Sequence, residues 1–337
     1  MLSNIESGLI LAVAGMVGGR SEEIIFTSGG TEANNLALRG AAIASQGKGR
    51  HIITTAVEHH SVLNTAHALG HDGFDVEVLG VDARGVVDTQ ALLDAIRPDT
   101  VLVSVMLANN ETGAVQPVEE IGRVARQRGV LFHTDAVQGF GKIELGAVLD
   151  YADLVTLAAH KVYGPRGAGV LLVRTGTPLV PLMTGGHHEQ GLRPGTENVA
   201  AIAGFAEAAK QAASALEGET RRIEALRNRF EGHVLSAIPD VCINGCAAQR
   251  VPNTSNISFA GVESESVLLH LDLLGICASA GSACTTGEPE PSHVLMAMGL
   301  SNRKAQGALR FSLGRGTTAE QVDRVVEALV GIIKKLR

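Results

Sequence analysis

The sequence has few cysteines, no concentrated block of basic charge and no long apolar run, and each shortage argues against a class of protein. The 28 lysines and arginines are spread along a chain of net charge −7, so no nucleic-acid partner is indicated. The apolar stretch 9–17 is too short to span a bilayer, and we interpret it as a buried helical turn. The four cysteines contain no Cys-x-x-Cys pair, which argues against a disulfide framework or a zinc knuckle and favours a reducing, cytoplasmic setting. They are Cys242, Cys246, Cys277 and Cys284.

The composition that is present is that of an ordinary globular protein. The chain has 337 residues, of which 45% are hydrophobic and 19% charged, and this length predicts about two compact domains. The first 215 or so residues alternate short β-branched runs with helical stretches, which predicts a largely parallel sheet covered by helices on both faces. The seven predicted strands lie near Ile24 to Thr27, Ile52 to Thr55, Val76 to Leu79, Val101 to Leu107, Val130 to Thr134, Leu154 to Leu157 and Gly169 to Arg174.

The pattern changes after this alternating region. From Glu197 to about Ile238 it is long and helical, with Gly218 as an expected break, and the remainder is a smaller α+β pattern. We therefore predict a large domain at 1–217 and a C-terminal domain at 218–337.

Polar residues follow the ends of five predicted strands. Ligands of open α/β sheets bind outside the carboxyl ends of the strands, so these residues are expected to converge on one site. They are Ser28 to Thr31, Glu58 and His59, Asn109 and Asn110, Asp135 and Gln138, and His160 and Lys161.

The segment 27–32 reads Thr-Ser-Gly-Gly-Thr-Glu and leads from a strand into a helix. Backbone N–H groups at a helix N-terminus, together with the Thr31 hydroxyl, suit a phosphate group. The alternative is an ordinary strand-to-helix turn in which Thr31 is a cap.

Lys161 follows a strand directly, where its amine faces the expected crevice. Such a lysine suits a Schiff base with an aldehyde cofactor, and Asp135 at a neighbouring strand end suits a pyridinium nitrogen. The alternatives are that Lys161 is an ordinary solvated lysine and that Asp135 is a helix N-cap. His59 has the chemistry to stack on a cofactor ring and move protons, but a lone histidine is often a bystander.

Two further residues carry candidate chemistry. Cys284 lies in a run of small residues that would leave a thiol reachable, whereas the other three cysteines adjoin apolar residues and are expected to be buried. Arg310 stands among apolar neighbours in a strand-like pattern, so its guanidinium needs an anion such as a substrate carboxylate. A structural salt bridge is the alternative. No metal site is predicted, because His60, His187 and His188 have no third ligand at metal-site spacing.

Eight segments together resemble the cysteine desulfurases of the NifS/IscS type, in the class V aminotransferase family. In order they are FTSGGTEANN, VEHHSV, MLANNETGAVQPV, HTDAVQ, HKVYGPRGAG, GGHHEQGLRPGT, SAGSACTTGEPEPSHVL and ALRFSLGR. The resemblance implies the type I pyridoxal-5′-phosphate (PLP) transferase fold, similar to aspartate aminotransferase. It also implies a seven-stranded, mostly parallel sheet in the large domain and the catalytic cysteine loop in the smaller one.

The resemblance also implies roles toward PLP. Gly30, Thr31 and His160 would bind its phosphate, and Thr196 would reach the phosphate of the neighbouring subunit in a homodimer. Ala158 departs from the family, which often has a serine there as a phosphate donor.

Around the cofactor ring, the resemblance implies that His59 stacks on the pyridine and Asp135 pairs with its nitrogen. Gln138 would bond the phenolic oxygen, and Lys161 would form the Schiff base.

Toward the substrate, L-cysteine, the resemblance implies that Asn110 and Arg310 hold the carboxylate. Cys284 would attack the sulfur, leaving alanine and a persulfide for delivery to an iron–sulfur scaffold or a tRNA-thiolation protein. Cys284 could also contact iron–sulfur cargo transiently.

Three alternatives stay open at this point. They are a selenocysteine lyase, another C–S lyase or aminotransferase of this fold, and a truncated, inactive relative that acts as a binding partner. The chain begins inside the family's first domain, so we expect low activity and stability compared with a chain that carries the relatives' N-terminal segment.

Overall fold

The predicted strands pair into one seven-stranded sheet. The computed structural model describes residues 13–15, 18–280 and 291–337, apart from the side chains of 147–149. The strand order is β1-β7-β6-β5-β4-β2-β3, and only β7 runs against its neighbours. The strands are β1 (Ile24–Thr27), β2 (His51–Thr55), β3 (Asp75–Leu79), β4 (Thr100–Ser104), β5 (Leu131–Asp135), β6 (Leu154–Ala158) and β7 (Gly169–Val173). The predicted sheet is confirmed, with strand ends displaced by a few residues.

Five helices lie between these strands. They are α1 (Gly30–Ser45), α2 (His60–His71), α3 (Thr89–Ala95), α4 (Val118–Arg128) and α5 (Gly146–Tyr151). In α1 the apolar residues Ala33, Leu36, Ala37 and Ala41 recur at helical spacing, and all are buried. This face of α1 belongs to a core that also contains Ile52, Leu102 and Leu171 of the sheet. The sheet is therefore held by helices whose apolar faces match its own.

A second, smaller sheet contains three antiparallel strands in the order β10-β9-β8. The strands are β8 (Val241–Asn244), β9 (Thr254–Phe259) and β10 (Ala308–Ser312), and the nearby helices are α7 (Ser264–Leu273), α8 (His293–Ala297), α9 (Asn302–Gln306) and α10 (Ala319–Leu336). Its core joins Ile257 and Leu309 of the sheet to Val267 and Leu329 of the helices. Thr318 and Gln321 form a capping box that begins α10.

The helix α6 (Val199–Ala237) extends over 39 residues without interruption. The helix break expected at Gly218 is therefore wrong. One glycine in an exposed helix lowers stability by only about 1 kcal/mol relative to alanine. The helical residues on both sides of Gly218 offset this cost.

The chain forms two compact units. Unit 1 contains Met1–Leu79, Val87–Ala108 and Gln116–Leu216, and unit 2 contains Gly80–Val86, Asn109–Val115 and Glu217–Arg337. The predicted first domain, 1–217, includes the two short segments of unit 2, and the boundary at 217/218 stays a prediction.

The apolar stretch 9–17 lies mostly outside the described residues. Within it, residues 13–15 are helical, and Val13 and Ala14 are buried. In the described part of the chain, no helix is both long and apolar enough to cross a membrane.

Candidate active site

Four parallel strand ends in unit 1 carry the residues expected to bind a cofactor. Gly30 begins α1 just after β1, His59 follows β2, Asp135 ends β5, and Lys161 lies in a short 3₁₀ helix after β6. Because β1, β2, β5 and β6 run in the same direction, their carboxyl ends lie at one edge of the sheet.

The turn between β1 and α1 depends on two glycines. Gly29 has φ 155° and ψ −179°, a conformation open essentially to glycine alone. A Cβ at Gly169 in β7 would lie 2.6 Å from the backbone of Gly29 and 2.9 Å from Thr27 Oγ1. The close approach of β7 therefore fixes the backbone from which α1 begins.

The same turn is held by a carboxylate for which the sequence predicts no role. Glu32 Oε2 accepts a hydrogen bond from Ser28 N (2.7 Å), and Glu32 Oε1 pairs with Arg193 Nε at 2.8 Å. These hydrogen bonds lower the pKa of Glu32 although its burial acts in the opposite direction and is the largest single effect. The N-cap of α1 is Gly29, not Thr31, and Thr31 is exposed in the first turn. The alternative reading of Thr31 as the helix cap is therefore wrong.

Asp135 is buried and has both carboxylate oxygens engaged. Oδ2 accepts from Asn34 Nδ2 at 2.7 Å, and Oδ1 accepts from Val137 N at 3.0 Å. Burial raises the pKa of Asp135, although these two hydrogen bonds and the nearby His59 and Lys161 oppose that rise. The residue thus supports the following turn and also presents a desolvated carboxylate. No helix begins at this turn, since the next one starts at Gly146, so the alternative of a helix N-cap at Asp135 is wrong.

His59 is the N-cap of α2. Its Nδ1 accepts from Ser61 N at 3.1 Å and lies 2.8 Å from Ser61 Oγ. A ring nitrogen that accepts a backbone N–H carries no proton, so the hydrogen-bond network assigns the ring proton to Nε2. His59 as a residue is exposed, and its ring lies edge-on to that of His60 with the centroids 6.4 Å apart.

Glu58 follows β2, and the sequence alone predicts no role for it. Its side chain is fully buried, and Oε1 accepts from Met106 N (2.8 Å) and Thr55 Oγ1 (2.9 Å). Burial raises the pKa of Glu58 to about 8, against these two hydrogen bonds. The residue before His59 is thus a carboxylic acid that ties the end of β2 to the chain just after β4.

The remaining residues expected at the cofactor are more open. His160 and Lys161 are exposed, and burial followed by the charges of Lys161, Arg166 and Lys142 lowers the pKa of His160. Gln138 is half-buried, and its Oε1 accepts from Lys142 Nζ at 2.6 Å. Thr196 is exposed and lines a cavity in unit 1 together with Ser28 and Arg193.

Asn110 and Arg310 meet in unit 2. Arg310 lies on β10, and its Nη1 donates to the carbonyl oxygen of Asn110 at 3.0 Å. Within the described part of the chain, Arg310 Nε and Asn110 Oδ1 are buried without hydrogen-bond partners. A buried guanidinium N–H without an acceptor is costly, so Arg310 Nε suits an anion.

The last candidates from the sequence are the four cysteines and the possible metal ligands. Cys284 lies outside the described residues, while Cys242, Cys246 and Cys277 are exposed, so the expectation that these three are buried is wrong. Cys242 shows the reason, since neighbours along a strand point to opposite faces and apolar neighbours do not report its burial. Within residues 13–15, 18–280 and 291–337, no three His, Cys, Asp or Glu side chains are grouped to hold a metal ion.

Comparisons with known proteins agree with this fold. The class V aminotransferase family model matches residues 11–325. A relative named cysteine desulfurase IscS, from Dictyoglomus turgidum, is 47% identical over 96% of this chain and 82% of its own length. A cysteine desulfurase from a Nostoc species is 47% identical over 96% of this chain and 81% of its own length.

Solved structures give the same result. A NifS-like protein matches with a TM-score of 0.92 and 36% identity, over 99% of this chain and 88% of that structure. A structure titled SspA in complex with cysteine matches with a TM-score of 0.79 and 36% identity, over 92% of this chain and 86% of that structure. The chain belongs to the class V aminotransferase family. Within that family its relatives are cysteine desulfurases, so the resemblance read from the sequence is confirmed.

Proposed function

We propose that the chain is a PLP-dependent L-cysteine desulfurase that converts cysteine to alanine and forms a persulfide on Cys284. The observation that carries this proposal is Asp135, a buried carboxylate held by Asn34 and Val137 at the strand-end edge that also bears Lys161. The relatives named cysteine desulfurase support the choice of substrate.

The residues present fit PLP. A desolvated carboxylate such as Asp135 is stabilised by a cationic ring nitrogen, and an exposed amine at Lys161 suits a covalent link to an aldehyde. The turn at Gly29 and Gly30 opens the N-terminus of a 16-residue helix, which favours a phosphate. When bound, PLP would supply an electron sink for cleavage of the bond between carbon and sulfur.

Specific residues would hold each part of the cofactor. Gly30, Thr31 and His160 would bind the phosphate, with Thr196 contributed by a second copy of the chain. His59 would stack on the ring, Asp135 would pair with its nitrogen and Gln138 would bond its phenolic oxygen. Ala158 supplies no hydroxyl, so one phosphate hydrogen bond of about 1 kcal/mol is absent.

The protein's own residues perform the remaining steps. Arg310 Nε and the side chain of Asn110 bind the substrate carboxylate and so orient the amino acid. Lys161 Nζ and His59 Nε2 are the groups that hold or move protons. The Cys284 thiolate attacks the substrate sulfur: an S–S bond forms, the C–S bond breaks, and its electron pair stays with the carbon that is protonated to alanine.

The test of the nucleophile compares Cys284→Ser with Cys277→Ser. Both variants remove one thiol, but Cys277 is exposed and plays no part in the proposed site. We expect Cys284→Ser to bind PLP but neither to release alanine from L-cysteine nor to form an enzyme persulfide, whereas Cys277→Ser does both. Loss of turnover in Cys277→Ser, with turnover retained in Cys284→Ser, would transfer the role to Cys277. Repeating the assay with selenocysteine distinguishes a desulfurase from a selenocysteine lyase.

The test of the cofactor link uses Lys161→Ala. Treatment of the native protein with borohydride should attach PLP covalently, and mass spectrometry should locate the attachment at Lys161. The control is Lys210→Ala, because Lys210 is exposed on α6. A reducible link that persists in Lys161→Ala would reject this assignment.

A further inference from the structure

Asn34 connects Asp135 to Ser61, which in turn contacts His59. The sequence alone predicts no function for Asn34. It is one turn into α1 and 1% exposed. Its Nδ2 donates to Asp135 Oδ2 at 2.7 Å and to Ser61 Oγ at 2.8 Å. Both N–H bonds of the amide are therefore used, and they point toward different elements, β5 and α2.

The charge of Asp135 fixes the direction of this amide. Asn34 Oδ1 is buried without a hydrogen-bond partner in the described structure. A flipped amide would place this oxygen against the Asp135 carboxylate, so that two acceptors would face each other. The orientation with Nδ2 inward is retained even though it leaves Oδ1 unsatisfied.

The amide in turn directs the hydroxyl of Ser61. Because Ser61 Oγ accepts a hydrogen from Asn34, its own proton is left to donate elsewhere, and His59 Nδ1 lies 2.8 Å away. The same Nδ1 accepts from Ser61 N at 3.1 Å. Two donors thus meet at one ring nitrogen, which therefore carries no proton.

We propose that Asn34 is a positioning residue that holds His59 in its neutral, Nε2-protonated form through Ser61, with Asp135 as the fixed end of this hydrogen-bonded chain. The inference rests on the proposed function, since the tautomer of His59 matters for catalysis only if His59 acts at the cofactor. It adds that Asp135, the proposed partner of the cofactor's ring nitrogen, and His59, proposed to stack on the cofactor's ring, are positioned by one hydrogen-bonded chain. A proton on His59 Nδ1 would oppose both Ser61 donors.

The test measures the tautomer directly. Two-bond ¹H–¹⁵N spectra of the full chain with labelled histidines, with and without PLP, report which ring nitrogen is protonated, and His59→Gln assigns the signal. In the native protein we expect the Nε2–H form. Asn34→Ala and Ser61→Ala should each shift the ratio of the two tautomers by about fivefold, the equivalent of one neutral hydrogen bond. The double variant should shift it little further, because both changes interrupt one chain.

Asn35→Ala is the matched control. Asn35 is the next residue on α1, and its side chain bonds Thr31 O instead of Asp135 or Ser61. It should leave the tautomer unchanged, whereas Asn34→Ala should also lower kcat about tenfold with little change in KM, a part of what a positioned proton donor contributes. A native Nδ1–H form, or an unchanged ratio in folded Asn34→Ala and Ser61→Ala, would overturn the proposal. Absence of alanine release by the native protein would instead reject the proposed function, since the spectra require no turnover.

Discussion

Glu58 is a buried acid placed directly before His59, and its ionisation should set how the stability of this protein varies with pH. Its pKa is about 8 in the folded chain against an ordinary value of 4.5. Between these values the unfolded chain loses the proton while the folded chain keeps it, so stability falls as pH rises. His133, whose pKa burial lowers to about 3, acts in the opposite direction but only below its ordinary value of 6.5. From pH 6.5 to 8 the effect of Glu58 on stability should therefore exceed that of His133. The pKa of Asp135 is also raised by burial, so Asp135 changes stability in the same direction as Glu58.

Glu58→Gln should flatten this pH dependence. The glutamine oxygen can still accept from Met106 N and Thr55 Oγ1, but no charge develops in the buried site. The free energy of unfolding of the native protein should fall relative to that of Glu58→Gln by up to about 1.4 kcal/mol per pH unit, and the difference should level off above pH 8. Calorimetry at pH 5 to 9 measures it, with the exposed Glu120→Gln as control. Parallel curves for native and Glu58→Gln would show that Glu58 is already ionised near neutrality.

At the same scale, the sequence revealed single residues better than pairs. Asp135, His59 and Lys161 were identified because each follows a short apolar run, which is a local signal. The bond from Asn34 to Asp135 joins residues 101 apart, and that from Asn34 to Ser61 joins residues 27 apart. No local pattern encodes such distances. Glu58 differs again, since its position was visible while its burial, and hence its pKa, depended on the packing of β2 and β4.

At the scale of elements, β-branched runs predicted all seven strands of the large sheet because buried parallel strands are nearly continuous apolar segments. The break expected at Gly218 failed because local propensity is weak beside the packing of a 39-residue helix. The approach of β7 to the turn before α1 was equally invisible, although Gly169 stood in a predicted strand. Glycine has no side chain, so the close packing at Gly169 leaves no hydrophobic pattern in the sequence.

Gly169→Ala should therefore damage the turn that begins α1. The added methyl would lie 2.6 Å from Gly29, where only backbone is available to move. We expect a loss of about 1 to 3 kcal/mol in stability and weaker binding of PLP. Gly47→Ala is the control, since it meets nothing within 4 Å. Melting temperature and PLP titration measure both effects, and equal values for the two variants would mean that β7 does not constrain the turn.

At the scale of the whole molecule, the proposed homodimer is testable by complementation. Thr196 is exposed in the single chain and is proposed to serve the phosphate of a second copy. Lys161→Ala and Thr196→Asp should each be inactive alone, the second because a carboxylate repels the phosphate. Refolded together, they should regain alanine release, because one site of each mixed dimer combines an intact Lys161 with an intact Thr196. Sedimentation confirms that mixed dimers form, and inactivity of such dimers would place Thr196 in the site of its own chain.

The order of the large sheet also has a consequence during synthesis on the ribosome. Among the residues that the structure describes, β1 is an edge strand that pairs with β7 alone, and Ile24 pairs with Leu172. At translation rates of about 5–20 residues per second, on the order of ten seconds pass between the appearance of these two strands. Until then the strand that leads into Gly30 has no partner in the sheet. The nascent chain therefore cannot complete the turn proposed to hold phosphate until most of unit 1 has emerged, and cofactor capture should be a late event in its maturation.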